Sequence, residues 1–210
     1  MEIMYRDNNH KMFLENSFNG VYKDKVDLVN MGIDFKGVIY DDEWTVKKFL
    51  NGYKFKIDEK IYDIFNELSI NINLLKRKIK TLSKGQFKLI LLCYVLLNNK
   101  KFIILDYFDK GLSHINKKRV INYLKRKYKG TLVVISNDLV FLNSLCSNII
   151  IFKDKEIVFN DSFQKLYKSK IKLEYPEIIN FIRVANKSKA KLGYTVSTHE
   201  LLKDIYRSVK

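Results

Sequence analysis

Two stretches of the chain are almost continuously apolar, Phe102 to Asp106 and Thr131 to Ile135. They are too short for helices and show no alternation, which predicts parallel strands buried on both faces. Each ends in polar residues: Asp106 closes the first, and Ser136-Asn137-Asp138 closes the second. Gly111-Leu112 and a basic helical stretch lie between them. Ahead of them, Phe87 to Leu97 is apolar for long enough to form a buried helix. Its entrance, Ser83-Lys84-Gly85-Gln86, reads as a capping box with Ser83 as N-cap and Gln86 at N3.

The flanking regions are less regular. Met1 to Tyr5, Lys11 to Leu14, Val21 to Val29 and Gly37 to Tyr40 read as short strands and turns. Val26 to Gly32 is the best candidate for a strand leading into a loop. Between Asp41 and Lys80 the pattern turns helical: Asp41-Asp42-Glu43 puts negative charge into a first turn before Trp44, Val46, Phe49 and Leu50, and Ile61, Ile64, Phe65 and Leu68 recur at helical spacing. Leu139 to Leu145 reads as a helix, and Asn148 to Phe152 with Glu156 to Phe159 as a hairpin across Lys153-Asp154-Lys155. In the tail from Leu173 to Lys210, Pro176 stands at the entrance of one helix. A second capping box, Ser197 to Glu200, precedes Leu201, Leu202, Ile205 and Tyr206.

At 210 residues the chain can hold one main α/β core with a small appendage. Lys and Arg number 39 against 23 Asp and Glu, a formal net charge of +16. That balance suits nucleic acid, an anionic membrane face or nucleotide phosphates. The cations are mostly lysines scattered along the chain, so no dedicated nucleic-acid surface is expected. Cys93 and Cys146 stand far apart in apolar surroundings and read as buried thiols, which fits a reducing cytoplasm. His10, His114 and His199 share no ligand-like spacing and read as structural, with no metal site. The longest apolar run, Leu89 to Leu97, falls far short of the ~20 residues that span a bilayer, so any membrane association is expected to be peripheral, through a partner.

The order of a Ser-Lys-Gly-Gln helix start, a strand ending in Asp106, Gly111-Leu112, a basic helix and a strand ending in Ser136-Asn137-Asp138 resembles the second half of an ATP-binding-cassette (ABC) ATPase. The resemblance runs from about Gly37 to the end. It implies an α/β, P-loop NTPase-like ABC ATPase fold with a mostly parallel sheet. The ATPase-like domain would cover residues 1–170, with a helical subdomain at 41–81, and residues 171–210 would form a C-terminal helical extension. A plain amphipathic helical pair covering a sheet edge would explain 41–80 equally well, and a helical pair packed on its own domain would explain the tail. The tail also resembles the extension of energy-coupling-factor (ECF) transporter ATPases, where it helps the ATPases dimerise.

What the resemblance implies for chemistry is mixed. Ser83, Lys84, Gly85 and Gln86 match the signature that contacts the γ-phosphate of ATP held by the other subunit of a dimer. Lys84 replaces the first of two usual glycines. A structural cap would explain Ser83 and Gln86 but needs no Gly85, because glycine in a first turn costs up to ~1 kcal/mol relative to alanine. Asp106 keeps the position of the carboxylate that orients Mg²⁺ through water. Tyr107 stands where the family carries its catalytic Glu, and a phenol with a pKa near ~10 is a poor base. Gly111 and Leu112 continue the match to the loop that crosses the dimer, with Ser113 in place of its Asp. Asn137 replaces the sensor His, and Tyr40 or Asp41 replaces the Gln that links to the membrane subunit. No Gly-rich loop with Lys-Ser or Lys-Thr occurs before Gly37.

The expectation is a degenerate ABC subunit, not catalytic by itself. It would bind ATP and Mg²⁺ only in a composite site with an intact ABC ATPase partner. The heterodimer would sit at the inner face of the cell membrane on an integral membrane transporter subunit. Two other readings remain at this stage: a non-enzymatic regulator that sequesters an ABC ATPase, and a basic nucleic-acid-binding domain.

Overall fold

The two unbroken apolar runs become the centre of a sheet. In the computed structural model, which describes residues 2–5, 13–22, 35–51, 59–98, 101–153, 156–188 and 190–208, the strands are β1 (Glu2–Tyr5), β2 (Phe18–Tyr22), β3 (Phe35–Gly37), β4 (Phe102–Asp106), β5 (Thr131–Ser136), β6 (Asn148–Lys153) and β7 (Glu156–Ser162). They form one sheet in the order β3-β1-β4-β5-β2-β6-β7. The pairs β4/β5, β5/β2 and β2/β6 are parallel, whereas β1 and β7 pair antiparallel with their neighbours. The hairpin expected at residues 148–159 is therefore present as β6 and β7.

The N-terminal third corrects the sequence reading. The strand between β5 and β6 is Phe18–Tyr22; the candidate strand Val26–Gly32 lies outside the described residues. Val21 and Tyr22 end this parallel strand. The pattern was hidden by Asn19, a wholly buried polar residue. Its carboxamide accepts from Leu14 N–H at 3.0 Å and donates to Leu14 O at 3.0 Å, so an amide inside a strand is satisfied by the preceding loop. Phe13 and Leu14 are not in a strand, and β3 ends at Gly37, where the sequence pattern had it begin.

The helices are α1 (Val46–Asn51), α2 (Glu59–Glu67), α3 (Lys84–Leu97), α4 (His114–Lys127), α5 (Leu139–Leu145), α6 (Phe163–Lys168), α7 (Glu177–Lys187) and α8 (Thr198–Ser208), with 3₁₀ turns at Ile72–Lys76 and Ile79–Thr81. The predicted first-turn carboxylates are not in a helix. Asp41 accepts from Glu43 N–H in a turn, and Glu43 pairs with Lys80 and, at 2.9 Å, with Lys78. These contacts hold the entrance of α1 to the segment that leads into α3.

Alternate residues of the central strands face opposite sides. Ile103, Leu105, Leu132, Val134, Ile149 and Ile151 join Phe49, Ile61, Leu92, Leu124 and Leu142 in the main core. Ile104, Val133, Ile135 and Ile150 face the other way, with Val21 and Phe13. Cys93 and Cys146 are free thiols inside the main core, and burial pushes both well above the usual thiol range. At the tail, Ile182, Leu192 and Leu201 form a small cluster between α7 and α8. No helix among the described residues is long and apolar enough to cross a membrane.

Candidate functional site

The carboxyl ends of β2, β4 and β5 form a row. Tyr22 lies opposite Ser136, and Asp106 lies opposite Ile135. In open α/β sheets this edge is where ligands are held. The residues after Asp106 and Ser136 leave the sheet here.

Asp106 is partly buried at its strand end. Tyr107 follows in the left-handed region, φ 44°, which costs a non-glycine residue roughly 1–3 kcal/mol. The conformation is held by its N–H bonding Ile135 O at 2.9 Å and by Lys110, whose ammonium lies 4.0 Å over the phenol ring. The ring packs with the second face of the sheet. Asn137 is exposed at the end of β5. Neither side chain is a carboxylate or an imidazole, the groups that most often act as general bases at neutral pH.

Asp109, which the sequence reading passed over, is the buried acid of this edge, 4 % exposed. Ser136 Oγ donates to its Oδ1 at 2.8 Å, and Lys117 Nζ of α4 lies 3.9 Å from its Oδ2. Lys117 also bonds Asp138 at 3.2 Å, and Asp138 caps α5 by accepting from Phe141 N–H at 2.9 Å. This network fastens the loop after β4 to the end of β5.

The start of α3 is built from backbone. Gln86 N–H donates to Ser83 Oγ at 3.2 Å, and Ser83 N–H donates to Gln86 Oε1 at 3.0 Å, so the capping box is complete. The box leaves the N–H groups of Lys84 and Gly85 out, and Ser83 still has its hydroxyl proton to donate. Ser83 and Lys84 are exposed. With the positive end of a fourteen-residue helix behind them, these groups suit a phosphate oxygen.

Gly85 has a packing reason that the sequence could not show. A Cβ there would meet Gly111 O at 2.5 Å, closer than atoms approach, so only glycine lets α3 lie against the loop. Gly111 itself has φ 84°, a conformation that favours glycine. Leu112 packs beside the same contact. Ser113 caps α4, accepting from Asn116 N–H at 3.2 Å. Serine is among the best N-caps, so Ser113 fixes the helix start. Thus Ser83–Gln86 and Gly111–Ser113 are brought together, and Asp106, Tyr107 and Asn137 gather at the sheet edge.

Lys88, one turn into α3, bridges the two groups. Its ammonium donates to the carbonyls of Tyr107 and Lys110, the latter at 2.6 Å, with Phe108 O at 3.4 Å. Burial pulls this lysine below its ordinary pKa, and the nearby carboxylates of Asp109 and Asp106 oppose the fall. The signal for it was present as the lone charge in an otherwise apolar stretch, Phe87 to Leu97.

No family model matches the chain. Curated relatives do. The zinc import ATP-binding protein ZnuC of Ehrlichia chaffeensis is 32% identical over 139 residues, 60% of this chain and 57% of that protein. ZnuC of Ehrlichia canis is 29% identical over 172 residues, 71% of this chain and 70% of that protein. The energy-coupling factor transporter ATP-binding protein EcfA2 of Staphylococcus aureus is 25% identical over 167 residues, 74% of this chain and 58% of that protein. The chain thus spans little more than half the length of several relatives it matches. Among solved structures, MJ0796, a bacterial ABC transporter cassette in dimeric form, superposes with a TM-score of 0.56 at 14% identity. The match covers 71% of this chain and 87% of that one.

Proposed function

We propose that this chain, which has the fold of an ABC ATPase cassette and ABC transporter ATP-binding proteins as its homologues, serves a membrane transporter as a subunit that cannot complete an ATP site alone. It lends the start of α3 to ATP and Mg²⁺ held by an intact ABC ATPase. The observation that carries this reading is the exposed, capped start of α3, where Ser83 and Lys84 are exposed and the capping box leaves the Lys84 and Gly85 N–H groups out.

The division of labour follows from the side chains. Ser83 and the helix-start amides would bind the γ-phosphate of the partner's nucleotide, and Lys84 would add a cation beside it. Asp106 would be the vestige of a Mg²⁺ site. Tyr107 and Asn137 cannot replace a general base and a charged sensor, so water activation falls to the partner. The stretch where a phosphate loop would follow β2 lies outside the described residues, and its sequence, 23–34, contains no Gly-Lys-Ser or Gly-Lys-Thr. Closing such a dimer would drive an integral membrane subunit. The ECF-type likeness of the tail, and with it a role for α7 and α8 in dimerisation, belongs to the same proposal.

The test is Ser83→Arg in the assembled heterodimer. A bulky side chain at the N-cap blocks the phosphate position, and ATP turnover by the pair is expected to disappear while the chain stays folded. Phosphate release unchanged from that of the unmodified pair would sink the composite site.

A further inference from the structure

The loop after β4 is gripped from two sides. Asp109 anchors it by side chain to Ser136 and Lys117. On the other side the carbonyls of Tyr107, Phe108 and Lys110 turn toward one point, and the Lys88 ammonium of α3 occupies it. An ammonium has three N–H donors and no acceptor, so three carbonyl acceptors use it fully. Without a cation these dipoles would face each other with their negative ends together. The same loop also carries Gly111, whose carbonyl touches α3 at Gly85.

We propose that Lys88 is a positioning residue: its ammonium acts as a resident cation in a carbonyl cage and sets the loop from Tyr107 to Gly111 against the start of α3. Its functional meaning rests on the composite-site reading. Ser83 and Ser113 would then be presented at a fixed spacing, so a phosphate engaged at the start of α3 displaces the loop with it.

Amide hydrogen exchange on the full chain tests this without nucleotide or partner. Two loop amides are bonded within the loop, Lys110 N–H to Tyr107 O at 3.2 Å and Leu112 N–H to Asp109 O at 3.3 Å. In Lys88→Ala these amides are expected to exchange about tenfold faster. Propylammonium, which fits the vacated stem and brings three N–H donors, is expected to restore about half of the lost protection. Tetramethylammonium, a cation with no N–H, is expected to restore none at the same concentration. Unchanged exchange in the variant, or recovery with both salts alike or with neither, would overturn the proposal. Should Lys88→Ala not fold, Lys88→Met keeps the stem and removes the cation: faster loop exchange supports the cage, and wild-type protection overturns it. Failure of the composite site shows elsewhere, as indifference of turnover to Ser83→Arg, and would leave the exchange result standing.

Discussion

The start of α3 and the carboxyl ends of β4 and β5 are joined through one loop, yet they differ in what carries their chemistry. At α3 the groups that could meet a phosphate are backbone amides and one hydroxyl, fixed by a capping box and by a glycine contact. At the strand ends the chemistry depends on which side chain stands at each place, and in the proposed reading Tyr107 and Asn137 supply neither the base nor the charged sensor. Backbone function tolerates the change of many side chains as long as the geometry holds. Side-chain function is lost with a single substitution and leaves the fold intact.

Gly85→Ala attacks this contrast most strongly. Alanine in a helix interior is ordinarily better than glycine by up to ~1 kcal/mol. Here its Cβ would press on the Gly111 carbonyl at 2.5 Å, and overpacking against backbone costs roughly 1–3 kcal/mol. The urea midpoint is therefore expected to fall rather than rise, and a stabilised variant would show that α3 and the loop are not in register. Asn137→His asks the converse question of the strand ends. The side chain is exposed, so stability is expected to stay within about 0.5 kcal/mol. The chain alone should still release no phosphate from ATP. Turnover on that change would mean that the side-chain half of the site is closer to working than Tyr107 allows.

The smallest effect concerns the approach to α3. Lys80 and Lys78 hold the Glu43 carboxyl down at about 2 from an ordinary 4.5. A depressed carboxylate stabilises the fold above its unfolded pKa, and that contribution is lost as pH falls through the folded one. Acid titration of stability should therefore show a shallow loss between about pH 4.5 and pH 2. Glu43→Gln should flatten it, and an unaltered profile would place the acid sensitivity in another carboxylate. Both partners are exposed, so the change in midpoint is expected to be slight.

How much of this was legible depended on the range of the contact. α3, β4, β5 and the β6/β7 hairpin were readable because their burial repeats along the sequence, and the Ser83–Gln86 box because its partners are three residues apart. Gly85 was read as evidence for a phosphate because its neighbour, Gly111, is distant in sequence; the contact gives that glycine a structural duty of its own. β2 was misplaced because Asn19 and Gly20 interrupt its apolar run, and only the folded loop shows Asn19 satisfied. Asp109 escapes the sequence for a related reason, because its partners Ser136 and Lys117 are distant along the chain. Lys88 is marked locally only as the one charge in the apolar stretch Phe87 to Leu97, and its carbonyl partners are visible only in the fold.

The two buried thiols provide independent clocks. Cys93 sits in the middle of α3, and Cys146 sits at the end of α5. With both thiols buried and held protonated, an alkylating reagent can react only when the surrounding structure opens. Alkylation at Cys93 therefore times the opening of the helix that carries Ser83, and alkylation at Cys146 times the helix that follows Asn137. Their ratio, followed as conditions change, reports which side of the site loosens first.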